Sequence, residues 1–106
     1  FAVDLRVVAS TDKELDRVGV ISGGSIFPFV WNTLLAARDK GYGGTITTLA
    51  VAQEAKLQEA LGLPDYMAVA AVVPLGRPVK QLTKLRRRPV EDIVKKERFD
   101  GAAFEG

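Results

Sequence analysis

The chain contains neither cysteine nor histidine. Without cysteine it can form no disulfide, no thiolate metal site and no cysteine nucleophile, and its composition fits a reducing cytosol. Without histidine it lacks the commonest metal ligand and the commonest general base. We therefore expect no metal site and no Ser-His-Asp triad within this chain.

Long hydrophobic runs and strong net charge are also missing. No charge-free apolar stretch is long enough to span a bilayer, and the formal charge of the chain is only +2, which favours nucleic-acid binding little. With 106 residues, of which 47% are hydrophobic, the chain has enough apolar material for one small domain. We expect a soluble, cytoplasmic protein with neither a membrane nor a nucleic acid as partner.

A nearly apolar helix is predicted over residues 27–40. Its apolar residues recur at helical spacing, Ser25 is a plausible N-cap, and Gly41 provides a stop. A helix that is apolar nearly all round is buried either within its own domain or against a partner. Trp31, which lies in this helix, is accordingly predicted to be a core or interface residue.

A second helix and two strands complete the predicted elements. The helix covers residues 51–61 and ends at Gly62. Residues 66–73 form an almost unbroken apolar run, which predicts a central strand buried on both faces, and residues 1–10 alternate as a strand does. Because a two-stranded sheet is marginal in water, we expect something else to complete it.

A glycine-rich and hydroxyl-rich turn and a distant arginine cluster carry the functional chemistry. The turn reads Gly-Gly-Thr-Ile-Thr-Thr over residues 43–48, and the cluster reads Lys-Leu-Arg-Arg-Arg-Pro over residues 84–89. Guanidinium groups match phosphate oxygens, while glycine lets backbone N–H groups approach a ring edge, so the pair suits a phosphorylated planar cofactor. The structural alternative is a solvated basic loop and a helix-ending turn whose threonines pair in a short strand.

The order of these motifs resembles the FMN-dependent nitroreductase family. A helix ending in Ala-Ala-Arg-x-x-Gly is followed by the Gly-Thr turn, Leu-Gly-Leu-Pro, an apolar strand, Leu-Gly-Arg-Pro and Arg-Arg-Arg-Pro-Val-Glu-Asp-Ile-Val. The resemblance covers residues 18–98, which match the C-terminal half of the usual family member. The Thr-Thr pair is most similar to the branch that includes iodotyrosine deiodinase, although Leu49 stands where that branch has proline.

The resemblance implies an α+β fold of nitroreductase type, with an antiparallel sheet, a buried central helix and a C-terminal arm that wraps a partner subunit. Residues 1–76 would form the core, as a single domain or as the C-terminal half of a larger one, and residues 77–106 the extended basic arm. A missing N-terminal half or a second chain would complete the site.

It also implies an oxidoreductase that binds FMN in a homodimer, with NAD(P)H as donor and a nitro, quinone, enone or related small molecule as acceptor. The flavin would carry the chemistry, so no side chain of this chain is expected to be catalytic. Thr47, Thr48 and Leu49 would face the pyrimidine side and N5 of the flavin. Arg87 would pair with the phosphate, with Arg86 or Arg88 as a helper and Lys84 as a looser contact.

Two other hypotheses remain open from the sequence. The chain could be a non-catalytic flavin or nucleotide binder, which predicts bound FMN without NAD(P)H oxidation. It could instead be an interaction module whose basic arm meets acidic partners or nucleic acid, which predicts salt-sensitive binding without flavin.

Overall fold

Residues 1–104 are described by the computed structural model, and they form a small mixed α/β fold with two helices and two short antiparallel sheets. None of the helices in this range is long and apolar enough to cross a membrane. In chain order the elements are β1 (Ala2–Asp4), α1 (Phe27–Asp39), β2 (Gly43–Gly44), α2 (Glu54–Leu61), β3 (Met67–Val69) and β4 (Leu75–Gly76). Short 3₁₀ helices occupy Ser22–Ser25, Leu49–Gln53 and Val90–Asp92.

The two sheets are two-stranded pairs, β1 with β3 and β2 with β4. An isolated bridge between Thr47 and Val72 links the segments that follow β2 and β3. On β3, the backbone N–H of Val69 donates to Oε1 of Glu54 at 2.7 Å, and Nε2 of Gln58 donates to the Met67 carbonyl at 2.8 Å. Side chains of α2 thus bond to the backbone of β3.

The apolar run at residues 66–73 is shorter as a strand than predicted because its partner changes. Beyond β3, the N–H groups of Ala70 and Ala71 both donate to the Phe1 carbonyl, at 2.9 and 3.4 Å. Val72 then pairs with Thr47 through two hydrogen bonds of 2.9 and 3.0 Å. The prediction of one continuous central strand is wrong, since the run serves two different neighbours in succession.

The strand predicted for residues 1–10 is also shorter, because Asp4 turns the chain. Oδ1 of Asp4 accepts the backbone N–H of Arg6 at 2.9 Å, and the Arg6 guanidinium returns to the same carboxylate. That guanidinium lies 3.6 Å from the centre of the Tyr66 ring, a cation–π contact. A side chain that bonds to its own backbone two residues on favours a turn over a strand.

Helix α1 agrees closely with the prediction for residues 27–40, but its start does not use Ser25. Ser25 lies in the preceding 3₁₀ helix, and Ile26 occupies the N-cap without any side-chain hydrogen bond. Pro28 lies in the first turn, where its missing N–H has no consequence. At the other end Gly41 adopts a φ of +81°, the left-handed conformation expected of the residue that ends a helix.

Helix α2 begins three residues later than predicted, since Leu49–Gln53 forms a 3₁₀ helix first. Its end agrees with the prediction: Gly62 has a φ of +64°, and the N–H of Leu63 donates to the Gln58 carbonyl at 2.9 Å. This pair of features is the Schellman arrangement, in which a left-handed glycine lets the chain fold back on the last turn.

Very little of the chain is buried. The buried apolar side chains within the described residues are Val30, Val69 and Ala71. The accessible surface is 8868 Å², whereas a monomer of this mass exposes about 5,800 Å². The radius of gyration is 18.0 Å, whereas a compact domain of this length has about 13 Å. The chain therefore exposes about 3,000 Å² more than a self-sufficient domain of its size.

Helix α1 shows this exposure most clearly. Val30 is fully buried, but Phe29 and Trp31 are 60% and 57% exposed. Of the two predicted alternatives for α1, burial within its own domain is therefore not what the structure shows, and burial against a partner stays a prediction. Apolar periodicity identifies a face that requires cover, and it does not tell whether the same chain provides that cover.

Candidate functional site

The Gly-Thr turn is held tightly behind α1. After Gly41, the Tyr42 N–H donates to the Ala37 carbonyl at 2.9 Å, and β2 follows at once. A Cβ on Gly44 would lie 2.6 Å from Cδ2 of Leu75, 2.8 Å from the Pro74 carbonyl oxygen and 2.9 Å from Cδ2 of Leu34. The backbone at Gly44 thus packs closer to its neighbours than any side chain would allow.

A groove of about 450 Å³, which we name the basic groove, runs between α1, β2 and the arm. Arg38 connects its walls, because its Nη2 donates to the carbonyl of Leu82 in the arm. The lining joins basic groups to apolar and glycine surface, and it includes Trp31, Arg38, Gly43, Gly44, Lys80 and Arg87. The structure therefore brings one of the predicted phosphate-binding arginines against the predicted glycine turn.

Arg87 has no charged partner in the part of the chain that the structure describes. Its hydrogen bond there runs from Nη1 to the carbonyl of its neighbour Arg86, at 3.5 Å, which is too long to be strong. Arg86 and Lys84 are exposed, form no ion pair with residues 1–104, and do not line the basic groove. Of the three predicted basic residues, only Arg87 is within the groove.

Thr47, Thr48 and Leu49 follow Gly43 and Gly44 closely in the sequence, but they do not line the basic groove. Both backbone groups of Thr47 are used in the bridge to Val72, and its Oγ1 accepts the Leu49 N–H at 3.4 Å. Within the described range, the N–H and hydroxyl of Thr48 have no hydrogen-bond partner, and Leu49 is 87% exposed. Of the three residues, Thr48 is accordingly the one whose backbone N–H is free to bind a ligand.

A second groove, which we name the apolar groove, lies at the start of α1 and has a volume of about 790 Å³. Trp31 lines both grooves. The remaining lining is apolar or glycine apart from one serine hydroxyl, and it includes Val20, Ser22, Gly23, Gly24, Phe27 and Ile46.

Asp12, which the sequence analysis did not single out, fixes one wall of the apolar groove. It is 5% exposed, and its Oδ2 accepts the backbone N–H of Val20 at 2.8 Å and of Ile21 at 3.3 Å. Nη1 of Arg17 completes the cluster at 2.9 Å from the same oxygen. The pKa of Asp12 lies below its ordinary value of 3.8, chiefly because the Val20 N–H donates to its carboxylate. Hydrogen bonds from Arg17 and the Ile21 N–H lower the pKa further by smaller amounts. The sequence signal that could have identified this role of Asp12 is its spacing from Arg17 in the charged, turn-like segment of residues 12–17.

Neither the comparison with protein-family models nor the search of curated proteins finds a match to this chain. Among residues 1–104, no group of three or more acidic, histidine or cysteine side chains could hold a metal ion. The candidate site is therefore defined by its own groups: a basic groove with an arginine available to an anion, and an apolar groove beside it.

Proposed function

We propose that this chain is the C-terminal half of an FMN-dependent oxidoreductase of nitroreductase type that functions as a homodimer. The observation that carries the proposal is the position of Arg87, without a carboxylate partner in the described structure, in a groove floored by Gly43 and Gly44. An arginine without a partner in a groove that also has aromatic and apolar lining suits a phosphorylated planar ligand. The motif order described above supports the same class.

The residues of the basic groove fit FMN in size and in chemistry. A volume of about 450 Å³ lies within the range of small-molecule sites, which is about 300–1,000 Å³. Arg87, with Lys80 nearby, offers positive charge for a phosphate, and Trp31, Leu34 and Tyr42 offer apolar surface for a ring. When bound, FMN would accept a hydride from NAD(P)H at N5 and pass electrons to a nitro, quinone, enone or related acceptor.

The residues of this chain would bind and orient the cofactor. Arg87 would hold the phosphate in a bidentate contact, with Arg86 and Lys84 adding positive charge around it. Thr47, fixed by its bridge to Val72, would hold the turn so that the free N–H of Thr48 can donate to the flavin ring, with Leu49 beside it. No proton transfer from a side chain of this chain is required, which is consistent with a sequence without histidine.

The exposed surface supports a partner for this chain. Obligate interfaces bury about 2,000–5,000 Å² in total over both partners, which is about 1,000–2,500 Å² from each, so the excess of about 3,000 Å² on this one chain is enough for such an interface. Exposed Phe29 and Trp31 give α1 an uncovered apolar face. In the proposed enzyme, a second copy and an N-terminal half would cover α1, and the arm, which the structure describes as far as Phe104, would wrap the partner.

The test is the retention of FMN by the purified protein after excess cofactor is removed, measured from the visible flavin absorption. We expect Arg87→Ala to weaken FMN binding by about tenfold or more, because a charge-assisted hydrogen bond contributes about 1.5–3 kcal/mol. The matched control is Arg77→Ala, which removes an exposed arginine of the same arm that does not line the basic groove.

Three results would separate the alternatives. Flavin retained by the parent and by Arg77→Ala, lost from Arg87→Ala, and reduced by NAD(P)H would support the enzyme. Flavin retained without NAD(P)H oxidation would indicate a non-catalytic flavin binder. A folded protein that retains no flavin, alone or with its N-terminal half supplied, would contradict the proposal.

A further inference from the structure

The last described residues fold into a hairpin at the end of the arm, residues 94–104. The N–H of Lys96 donates to the Ala102 carbonyl at 2.9 Å, and the N–H of Phe104 donates to the Val94 carbonyl at 3.0 Å. A bridge pairs Lys95 with Ala103 between them. The end of the arm is thus an ordered unit with its own hydrogen bonds.

The tip of this hairpin presents one aromatic ring to the outside. The Gly101 N–H donates to the Arg98 carbonyl at 3.0 Å, and Arg98 pairs with Asp100 across Phe99. Glu97 adopts a φ of +59°, a left-handed conformation that residues other than glycine rarely take. Phe99 is 101% exposed. A strained, internally bonded turn therefore holds a phenylalanine ring in water, where the ring gains nothing from burial.

The apolar groove is a receptor of matching chemistry on the same chain. Its lining contains no charged side chain, and Phe27 and Trp31 offer aromatic faces. A Cβ on Gly24 would meet nothing within 4 Å, so open space remains above the groove at that point. Phe99 does not fill the groove of its own chain.

We propose that Phe99 of one copy docks into the apolar groove of a second copy of this chain. Phe99 and the apolar groove do not contact each other within one chain, so two copies can bury both by exchanging them. In a two-fold dimer each copy inserts its Phe99 into the groove of the other. The excess exposed surface of about 3,000 Å² is sufficient for a stable dimer. This inference rests on the homodimer of the proposed function and assigns the residue that anchors the arm.

Substitution of Phe99 is the direct test, because an exposed side chain can be removed without disturbing the fold. Phe99→Ala should raise the dissociation constant of the dimer by about 30-fold or more in analytical ultracentrifugation, as for an aromatic anchor in a buried pocket. The matched control is Val79→Ala, since Val79 is an apolar side chain of the same arm and is 107% exposed. This control should leave the constant within about threefold of the parent value.

Substitution of a residue that lines the apolar groove provides a second test. Gly24→Leu should weaken the dimer because it fills the groove, whereas Gly76→Leu, where a Cβ also meets nothing within 4 Å, should not. A photo-crosslinking benzoylphenylalanine at position 99 should join two chains, and mass spectrometry should locate the crosslink within residues 19–31 or at Ile46 of the second chain. Circular dichroism of each variant should match that of the parent, which checks that the variant is folded.

The outcomes distinguish this inference from the proposed function. A protein that stays monomeric, a dimer that Phe99→Ala does not weaken, or a crosslink to residues other than 19–31 and Ile46 would overturn the docking. If the dimer depends on Phe99 but no FMN is retained, the docking stands and the proposed function fails. If FMN is retained and Phe99→Ala does not weaken the dimer, the proposed function stands and the docking fails.

Discussion

Replacing Gly44 by alanine tests the close packing of the glycine turn. The new Cβ would lie 2.6–2.9 Å from Leu75, Pro74 and Leu34, whereas ordinary van der Waals contacts of a Cβ are 3.4–4 Å. The side chains of Leu75 and Leu34 can move, but the contact at 2.8 Å is with the Pro74 carbonyl, which precedes β4 directly. The strand pair must therefore separate by several tenths of an ångström.

Overpacking of this kind lowers the free energy of unfolding by about 1–3 kcal/mol. In a chain of this size each kcal/mol lowers the melting temperature by about 4–8 °C. The measurement is urea and thermal unfolding followed by circular dichroism. Because the same turn floors the basic groove, we also expect Gly44→Ala to bind FMN more weakly than the parent.

The matched control for Gly44 is Gly76, which stands opposite Gly43 in the same strand pair. A Cβ on Gly76 meets nothing within 4 Å, and its φ is outside the left-handed region. Gly76→Ala should leave the free energy of unfolding unchanged or raise it by up to about 1 kcal/mol, since alanine restricts the unfolded chain. Equal losses in Gly44→Ala and Gly76→Ala would refute the packing argument.

Two further predictions concern single turns. Because its pKa is lowered in the folded state, Asp12 contributes stability that is complete above its ordinary pKa of 3.8 and is lost as the pH falls through the folded value. Asp12→Asn should thus lower the urea concentration at the midpoint of unfolding at pH 7, and this midpoint should then fall less steeply than that of the parent below about pH 4. The exposed control Asp16→Asn should change neither the midpoint nor its pH dependence. Parallel pH profiles of the parent and Asp12→Asn would contradict this prediction. Gly62→Ala places a side chain at a φ of +64° and should lower the free energy of unfolding by about 1–2 kcal/mol in urea titration, and a loss no larger than that of Gly24→Ala, where φ is ordinary, would argue against the left-handed cap.

Local chemistry made several parts of the fold predictable from sequence. The extent of α1 followed from apolar spacing, and the left-handed stops at Gly41 and Gly62 followed from glycine after a helical segment. These features depend on residues within one or two turns of each other, so the information is present in a short window.

Features that depend on distant partners were not predictable. The apolar run after Tyr66 divides because Ala70 and Ala71 bond to Phe1, a contact across about two thirds of the chain. Asp12 matters because Val20 and Ile21 return to it. In the candidate site, Arg87 and the glycine turn were predicted as two parts of one cofactor site, whereas Arg38 and Lys80 were not predicted for it, because they join the basic groove only where the arm meets α1.

Trp31 lines both the basic groove and the apolar groove, and this sharing links the two proposed binding events thermodynamically. An occupant of either groove restricts the same indole ring and so changes the free energy of filling the other. Linkage requires the effect to be reciprocal: if the cofactor strengthens self-association by some factor, self-association strengthens cofactor binding by the same factor. The apparent affinity for flavin would then depend on protein concentration, and dilution alone would release the cofactor.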